Sequence, residues 1–127
     1  MTIKIECLCG RSVAYDACCG VYHAGLAATH SAEALMRSRY SAYVLNNSEY
    51  IANTWHLSTR PAVIEADLAI KWLGLRIIDT AQPDDAYAEV EFIAKYKLAG
   101  KAYRLHERSC FVFEQNSWWY VDGKINH

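Results

Sequence analysis

Four of the five cysteines fall within the first nineteen residues, as Cys7-x-Cys9 and, after eight intervening residues, Cys18-Cys19. Two tight thiol pairs on either side of a short loop can converge on one tetrahedral Zn²⁺, a borderline-soft ion that favours thiolate ligands. Gly10 and Gly20 follow the two pairs, where a chain folding back around a metal needs permissive backbone angles. Four sulfurs would fill the coordination sphere and leave no open position for Lewis-acid chemistry, so such a metal is structural. Buried reduced thiols, disulfides and a redox-active pair are the alternatives. Bound thiolates would make the segment anionic, with Lys4 and Arg11 as nearby compensating charges. His23, four residues after Cys19, is placed as an outer neighbour of the metal or a substitute ligand. Cys110 lies far away in a β-like run and reads as a small strand side chain.

The second chemical candidate is a carboxylate. Arg104-Leu105-His106-Glu107-Arg108 places four ionisable side chains in an alternating run, so one set must face inward. An even-length hairpin loop at Ala99-Gly100 turns Glu107 inward; a bulged three-residue loop turns His106 and Arg108 inward instead. An inward Glu107 among aromatic groups could serve as a general acid or base, because desolvation raises its pKa. Tyr40, Tyr43, Trp55, His56 and Tyr96 are the candidates to line that space. The structural alternative is an ion pair from Glu107 to Arg37 or Arg39 that ties helix to sheet. His56 could equally cap a helix end. No GxGxxG, P-loop, HExxH or nucleophile motif is present.

The elements that must position these groups change period halfway along the chain. Residues 1–28 read as an irregular metal-stapled segment, and residues 29–127 as a domain with its own core. Ser31 is placed as the N-cap of a helix from Ala32 to about Leu45, with Glu33 in its first turn. Met36, Tyr40, Tyr43 and Val44 form its apolar face, with Arg37 and Ser41 opposite. Asn46-Asn47-Ser48 ends that helix and caps a second, Glu49 to about Trp55. Pro61 opens a third helical stretch over Ala62–Leu73. Strands follow at Leu75–Asp79, Ala88–Leu98, Tyr103–Glu114 and Trp118–Asp122. In the second of these, Ala88, Val90, Phe92, Ala94, Tyr96 and Leu98 share one face, opposite Glu89, Glu91, Lys95 and Lys97. Val90, Phe92, Tyr96, Leu105, Glu107 and Phe111 are expected on the inner face, packed on Met36, Tyr40 and Tyr43. Helices followed by a meander of strands define an α+β domain.

At 127 residues, 53% hydrophobic and 21% charged, the chain can bury a core in one domain plus an appendage. A net charge of −1 gives no bulk drive toward nucleic acid or anionic membrane. The first residues lack a secretory h-region and no stretch is long enough to span a membrane, which points to the cytoplasm, where thiols stay reduced and metal is favoured over disulfide.

Cys7-Leu8-Cys9-Gly10, Tyr15 and Cys18-Cys19-Gly20 resemble the SEC-C motif, a zinc-binding module known from the tail of the translocase ATPase SecA, where it contacts the chaperone SecB. The family usually has Gly-Ser-Gly after its second cysteine, where this chain has Gly10-Arg11-Ser12. The order of elements resembles the NTF2-like fold, a curved sheet wrapped around helices to make a cone with a cavity. The whole chain resembles the YchJ family of bacterial proteins, through residues 17–25, 31–43, Thr54-Trp55-His56, 72–75, Val90-Glu91-Phe92 and 118–123. Many relatives carry a second cysteine motif at the C-terminus; this sequence ends at His127 without one. The resemblance supplies a fold and a zinc site, but no reaction. Three roles follow as expectations. One is an interaction module whose zinc knuckle docks a protein partner. Another is a cavity that binds or transforms a small molecule around Glu107, and the third is a redox thiol protein. The first is favoured, and catalysis is not expected to be the main role. A homodimer through the exposed sheet face is expected by analogy of fold.

Overall fold

A computed structural model describes residues 6–64 and 68–125. A 3-10 turn, Tyr15–Ala17, and a one-turn helix α1, Cys19–His23, form the N-terminal segment. Helices α2 (Ala32–Val44) and α3 (Ser48–Asn53) follow, then strands β1 (Lys71–Asp84), β2 (Tyr87–Leu98), β3 (Lys101–Glu114) and β4 (Ser117–Ile125). The strands form one antiparallel sheet in sequence order.

Capping sets the helix boundaries. Ser31 Oγ accepts from the Ala34 N–H at 3.0 Å, satisfying one of the free donors of the first turn. Asn46 adopts a left-handed φ of 57° and stops α2; Asn47 Oδ1 then accepts from Tyr50 N–H and starts α3. The third helix expected over Ala62–Leu73 is not formed. Lys71–Leu73 are the start of β1, residues 62 and 63 are bends, 68 and 69 form a turn, and 65–67 lie outside the described residues. Lys71 and Trp72 pair instead with Lys97 and Tyr96 of β2, and a bulge between Trp72 and Gly74 shifts the strand's alternation by one residue.

The loop at Ala99-Gly100 has two residues, both with positive φ (53° and 79°), as a hairpin of right-handed twist requires. It pairs Leu98 with Lys101, and alternation carries that register to Tyr96↔Tyr103 and Phe92↔Glu107. Gln115-Asn116 turns β3 into β4 in the same way, at φ 52° and 62°. The inner face therefore presents Val90, Phe92, Phe111 and Trp118 to Leu35, Met36 and Tyr40 of α2. Phe111 is wholly buried, and a phenylalanine so placed is worth about 3–5 kcal/mol relative to alanine.

Helix α2 is buried on its second side as well. Ala34, Ser38, Ser41 and Ala42 are almost inaccessible, and these small residues let the cysteine segment approach the helix closely. Among the described residues, no helix is long and apolar enough to cross a membrane.

Candidate metal centre and cavity

The sulfurs of Cys7, Cys9, Cys18 and Cys19 all lie within 4.8 Å of one another, and none is in a disulfide. Four thiolates about 2.3 Å from a tetrahedral centre would stand about 3.8 Å apart; Cys9 Sγ and Cys18 Sγ are 3.7 Å apart. The four residues are buried and, with Tyr15, form a cluster separate from the main core. This donor set fits a metal ion. A hydrogen bond from Cys19 holds the Cys9 thiol down to about 4, with further help from the Arg11 N–H, against the opposing effect of burial. Burial pushes Cys18 up to about 11, and sharing that hydrogen bond with Cys9 drives Cys19 upward. A metal bound by thiolates here would displace thiol protons.

Local backbone geometry explains the two glycines. Gly10 has φ of 96°, open to glycine at little cost. At Gly20 a Cβ would stand 2.8 Å from the Tyr15 carbonyl oxygen, so the turn into α1 excludes any larger residue.

Polar contacts fasten this segment to α2. Arg37 Nη1 donates to the Cys9 carbonyl at 2.8 Å, and Glu33 accepts from both Arg37 (3.0 Å) and Arg11 (3.4 Å). The hydrogen bond from Arg37 and then the nearby positive charges lower the Glu33 carboxyl against partial burial. His23 Nε2 donates to the Ser38 carbonyl at 2.7 Å, which leaves Nδ1 of the neutral ring to accept from the Tyr15 hydroxyl at 2.6 Å. His23 is thus a strut between the cysteine cluster and the domain and not a ligand. Lys4, expected as a compensating charge, lies outside the described residues. Arg11 is present in that role.

The second site is a cavity of about 260 Å³ between α2 and the inner sheet face. Met36, Tyr40, Tyr43, Trp72, Phe92 and Leu105 supply most of its apolar wall, with Arg39 and Glu107 set into it. Glu107 faces inward as the even-length loop requires. Gly123 on β4 makes room for it, since a Cβ there would collide with the carboxylate.

Glu107 does not pair with either helix arginine. Arg37 is taken up by Glu33 and Cys9, while Arg39 Nη1 donates to the Ile51 carbonyl (2.8 Å) and Thr54 Oγ1 (2.7 Å). Among the described residues, the one hydrogen bond to Glu107 is a long one from Ser109 Oγ, at 3.5 Å. Burial raises its pKa, and the Ser109 contact and the Arg39 charge only partly oppose that. Arg39 is 3% exposed, with its guanidinium carbon 4.4 Å from the Tyr120 ring centroid and 5.1 Å from that of Trp55. Burial also pushes Tyr40 up to about 12, so its hydroxyl stays protonated.

Tyr40 and Tyr43 line the cavity as expected; Trp55, His56 and Tyr96 do not. Trp55 sits behind Arg39 and meets Tyr120 edge-on at 5.0 Å. His56 neither lines the cavity nor caps α3: its ring bonds Glu114 (2.9 Å) and Ser58 (2.7 Å). Tyr96 stacks on Tyr103 and touches Trp72 from the far side. Trp72 was hidden by the helix expected over its segment. Arg39 has a readable signal: Met36, Arg39, Tyr40 and Tyr43 share helical spacing, and a cation on an otherwise apolar arc must be buried. Cys110 is a strand residue on the outer face, where its sulfur accepts from the Tyr87 hydroxyl at 3.2 Å.

A buried four-cysteine centre docked on an NTF2-like α+β cone describes a class, and comparison with known proteins agrees. The family described as "YchJ, middle NTF2-like domain" matches residues 31–123. A UPF0225 protein of Cupriavidus pinatubonensis is 54% identical over 94% of this chain and 87% of its own length. Another, from Bordetella pertussis, is 52% identical over 94% of this chain and 92% of its own. The solution structure of a SEC-C motif containing protein from Rhodopseudomonas palustris superposes with a TM-score of 0.86 at 32% identity, covering 97% of this chain and all of that one. A crystal structure of a SEC-C motif containing protein from Psychrobacter arcticus gives 0.79 at 28% identity, over 96% and 83%. The chain belongs to the YchJ family.

Proposed function

We propose that this protein is a zinc-stapled binding module: Cys7, Cys9, Cys18 and Cys19 hold one structural Zn²⁺, and the cone cavity receives a small organic ligand. The observation that carries the ligand reading is a cation and a carboxylate, Arg39 and Glu107, set into one apolar cavity without an ion pair between them. Charges drawn out of water normally recruit partners, and to the half-buried Glu107 the described residues supply none beyond Ser109. A small molecule with an apolar body, an acidic group toward Arg39 and a hydrogen-bond donor toward Glu107 satisfies both. The cavity volume suits a compact ligand, smaller than a dinucleotide. Four cysteine ligands complete the metal's shell, so any chemistry belongs to the cavity and not to the zinc.

Nuclear magnetic resonance titration with small aromatic and aliphatic amino acids and carboxylates tests the cavity. The expected result is saturable shifts clustered at Tyr40, Tyr43, Trp72 and Tyr120, weakened in Glu107→Gln. Shifts scattered over the surface, or none, would overturn the ligand reading while leaving the metal centre untouched.

A further inference from the structure

The outer face of the sheet is divided by charge into two halves, and the register shows where the division falls. Reading across β1, β2 and β3, one row holds Asp79, Glu91 and Arg108, and its neighbour holds Ala81, Glu89 and Cys110. Here acid and base are matched: Arg108 reaches Glu89, Glu91 (3.1 Å) and Asp79 (3.3 Å). His106, in the next row, donates to Glu91 at 2.7 Å. Toward the Ala99-Gly100 hairpin the matching stops. Arg76 lies opposite Ile93, Lys95 lies directly opposite Arg104, and Lys71 lies directly opposite Lys97. No carboxylate stands in those three rows.

Like charges placed directly opposite on neighbouring strands destabilise a sheet. This half contains two such pairs, and all five cations have no carboxylate partner among the described residues. Arg76, Lys95 and Arg104 line a groove of about 370 Å³, with Leu73 and Ile93 as its apolar floor. Leu73 is 48% exposed. Same-face side chains recur about every 6.6 Å along a strand and about 4.8 Å across strands, so the five charges form a compact field. The net charge of −1 conceals it, because the acids lie elsewhere.

We infer that this cationic half of the sheet is a docking surface for an acidic peptide segment of a partner protein that also carries apolar side chains. Three observations choose that occupant. The charge is complementary to carboxylates. Leu73 and Ile93 offer apolar contact between the cations. The aromatic residues of this end, Tyr96 and Tyr103, stack with each other on the inner face, so no platform faces outward to hold the bases of a single-stranded nucleic acid. A second copy of the chain would bring five unneutralised cations to the interface. The surface is separate from the cavity, so this inference stands whether or not the cavity binds a small molecule.

Fluorescence anisotropy with a labelled peptide of alternating Asp and Leu tests it on the zinc-loaded full chain, alongside an oligodeoxynucleotide of equal charge. Saturable peptide binding that weakens steeply with salt is expected, falling about tenfold or more in the double variant Lys95→Glu, Arg104→Glu. The double variant Lys95→Gln, Arg104→Gln, which removes charge without reversing it, should give an intermediate loss, and circular dichroism should show both variants folded. Lys124→Glu, opposite Arg108 on the balanced half, should change affinity less than twofold, that is by less than about 0.4 kcal/mol. Absent peptide binding, binding indifferent to both double variants, tighter binding of the oligonucleotide, or sedimentation showing a dimer that the substitutions dissociate would each overturn the inference.

Discussion

The cysteine segment and the cone are held together by opposite kinds of physics. The cone buries Leu35, Val90, Phe92, Phe111 and Trp118 in one continuous core. The cysteine segment buries four sulfurs and little else, and it reaches the cone through hydrogen bonds from Arg37 and His23 and an ion pair from Glu33. Apolar burial acts over the whole interface and tolerates the loss of one contact. A metal held by the four sulfurs would act at a point, and a segment so small would depend on it. The comparison shows why α2 is the centre of the molecule: its apolar arc serves the core, and its polar arc serves the cysteine segment.

The largest effect should come from separating the two regions. Removing metal with a chelator under reducing conditions should abolish amide-exchange protection in residues 6–28 and in the Arg37 and Ser38 turn that faces them. The sheet should keep its protection and the main cooperative transition should survive. Global loss of far-ultraviolet circular dichroism would show that the cone depends on the metal, and would break the comparison.

A smaller effect within the cone sharpens it. Among the described residues Glu107 has no arginine partner, so Glu107→Gln should hold or raise stability at neutral pH, where a paired carboxylate would have cost about 3–5 kcal/mol on removal. The sign follows from its raised pKa. A carboxyl that binds its proton more tightly when folded makes the protein less stable as pH rises through its folded value. The difference between wild type and Glu107→Gln should therefore shrink as pH falls below the ordinary carboxylate range. Urea titrations at acidic and neutral pH read it; a variant less stable at neutral pH would show a hidden ion pair.

Much of this arrangement is legible in the sequence wherever a rule acts locally. Cysteine type and spacing mark the four residues whose sulfurs converge in the structure. Strict alternation in β2, with a loop of two residues, fixes Glu107 inward and His106 and Arg108 outward. Ser31 and Asn47 mark helix starts through their side-chain oxygens. What escapes is long-range. The segment expected as a helix ends in the first residues of β1, which are held as strand by pairing with β2 across a bulge at Leu73. Ser38 and Ser41 look solvent-facing, yet they are inaccessible because the cysteine segment packs on them. Arg39 keeps its place through Ile51, Thr54, Trp55 and Tyr120, partners that local spacing does not bring together. His56 and Tyr96 are aromatic at suitable positions but point to neighbours outside the cavity.

The central claim, that four cysteines share one structural zinc while the fifth stands apart, is tested most directly by counting metal and thiols together. Protein purified under reducing conditions should contain one zinc per chain by elemental analysis. A thiol reagent should then modify Cys110 alone, and the remaining four only after a chelator is added. Zinc-free protein whose five thiols all react at once, or a zinc content that survives while Cys7, Cys9, Cys18 and Cys19 are freely modified, would contradict the account.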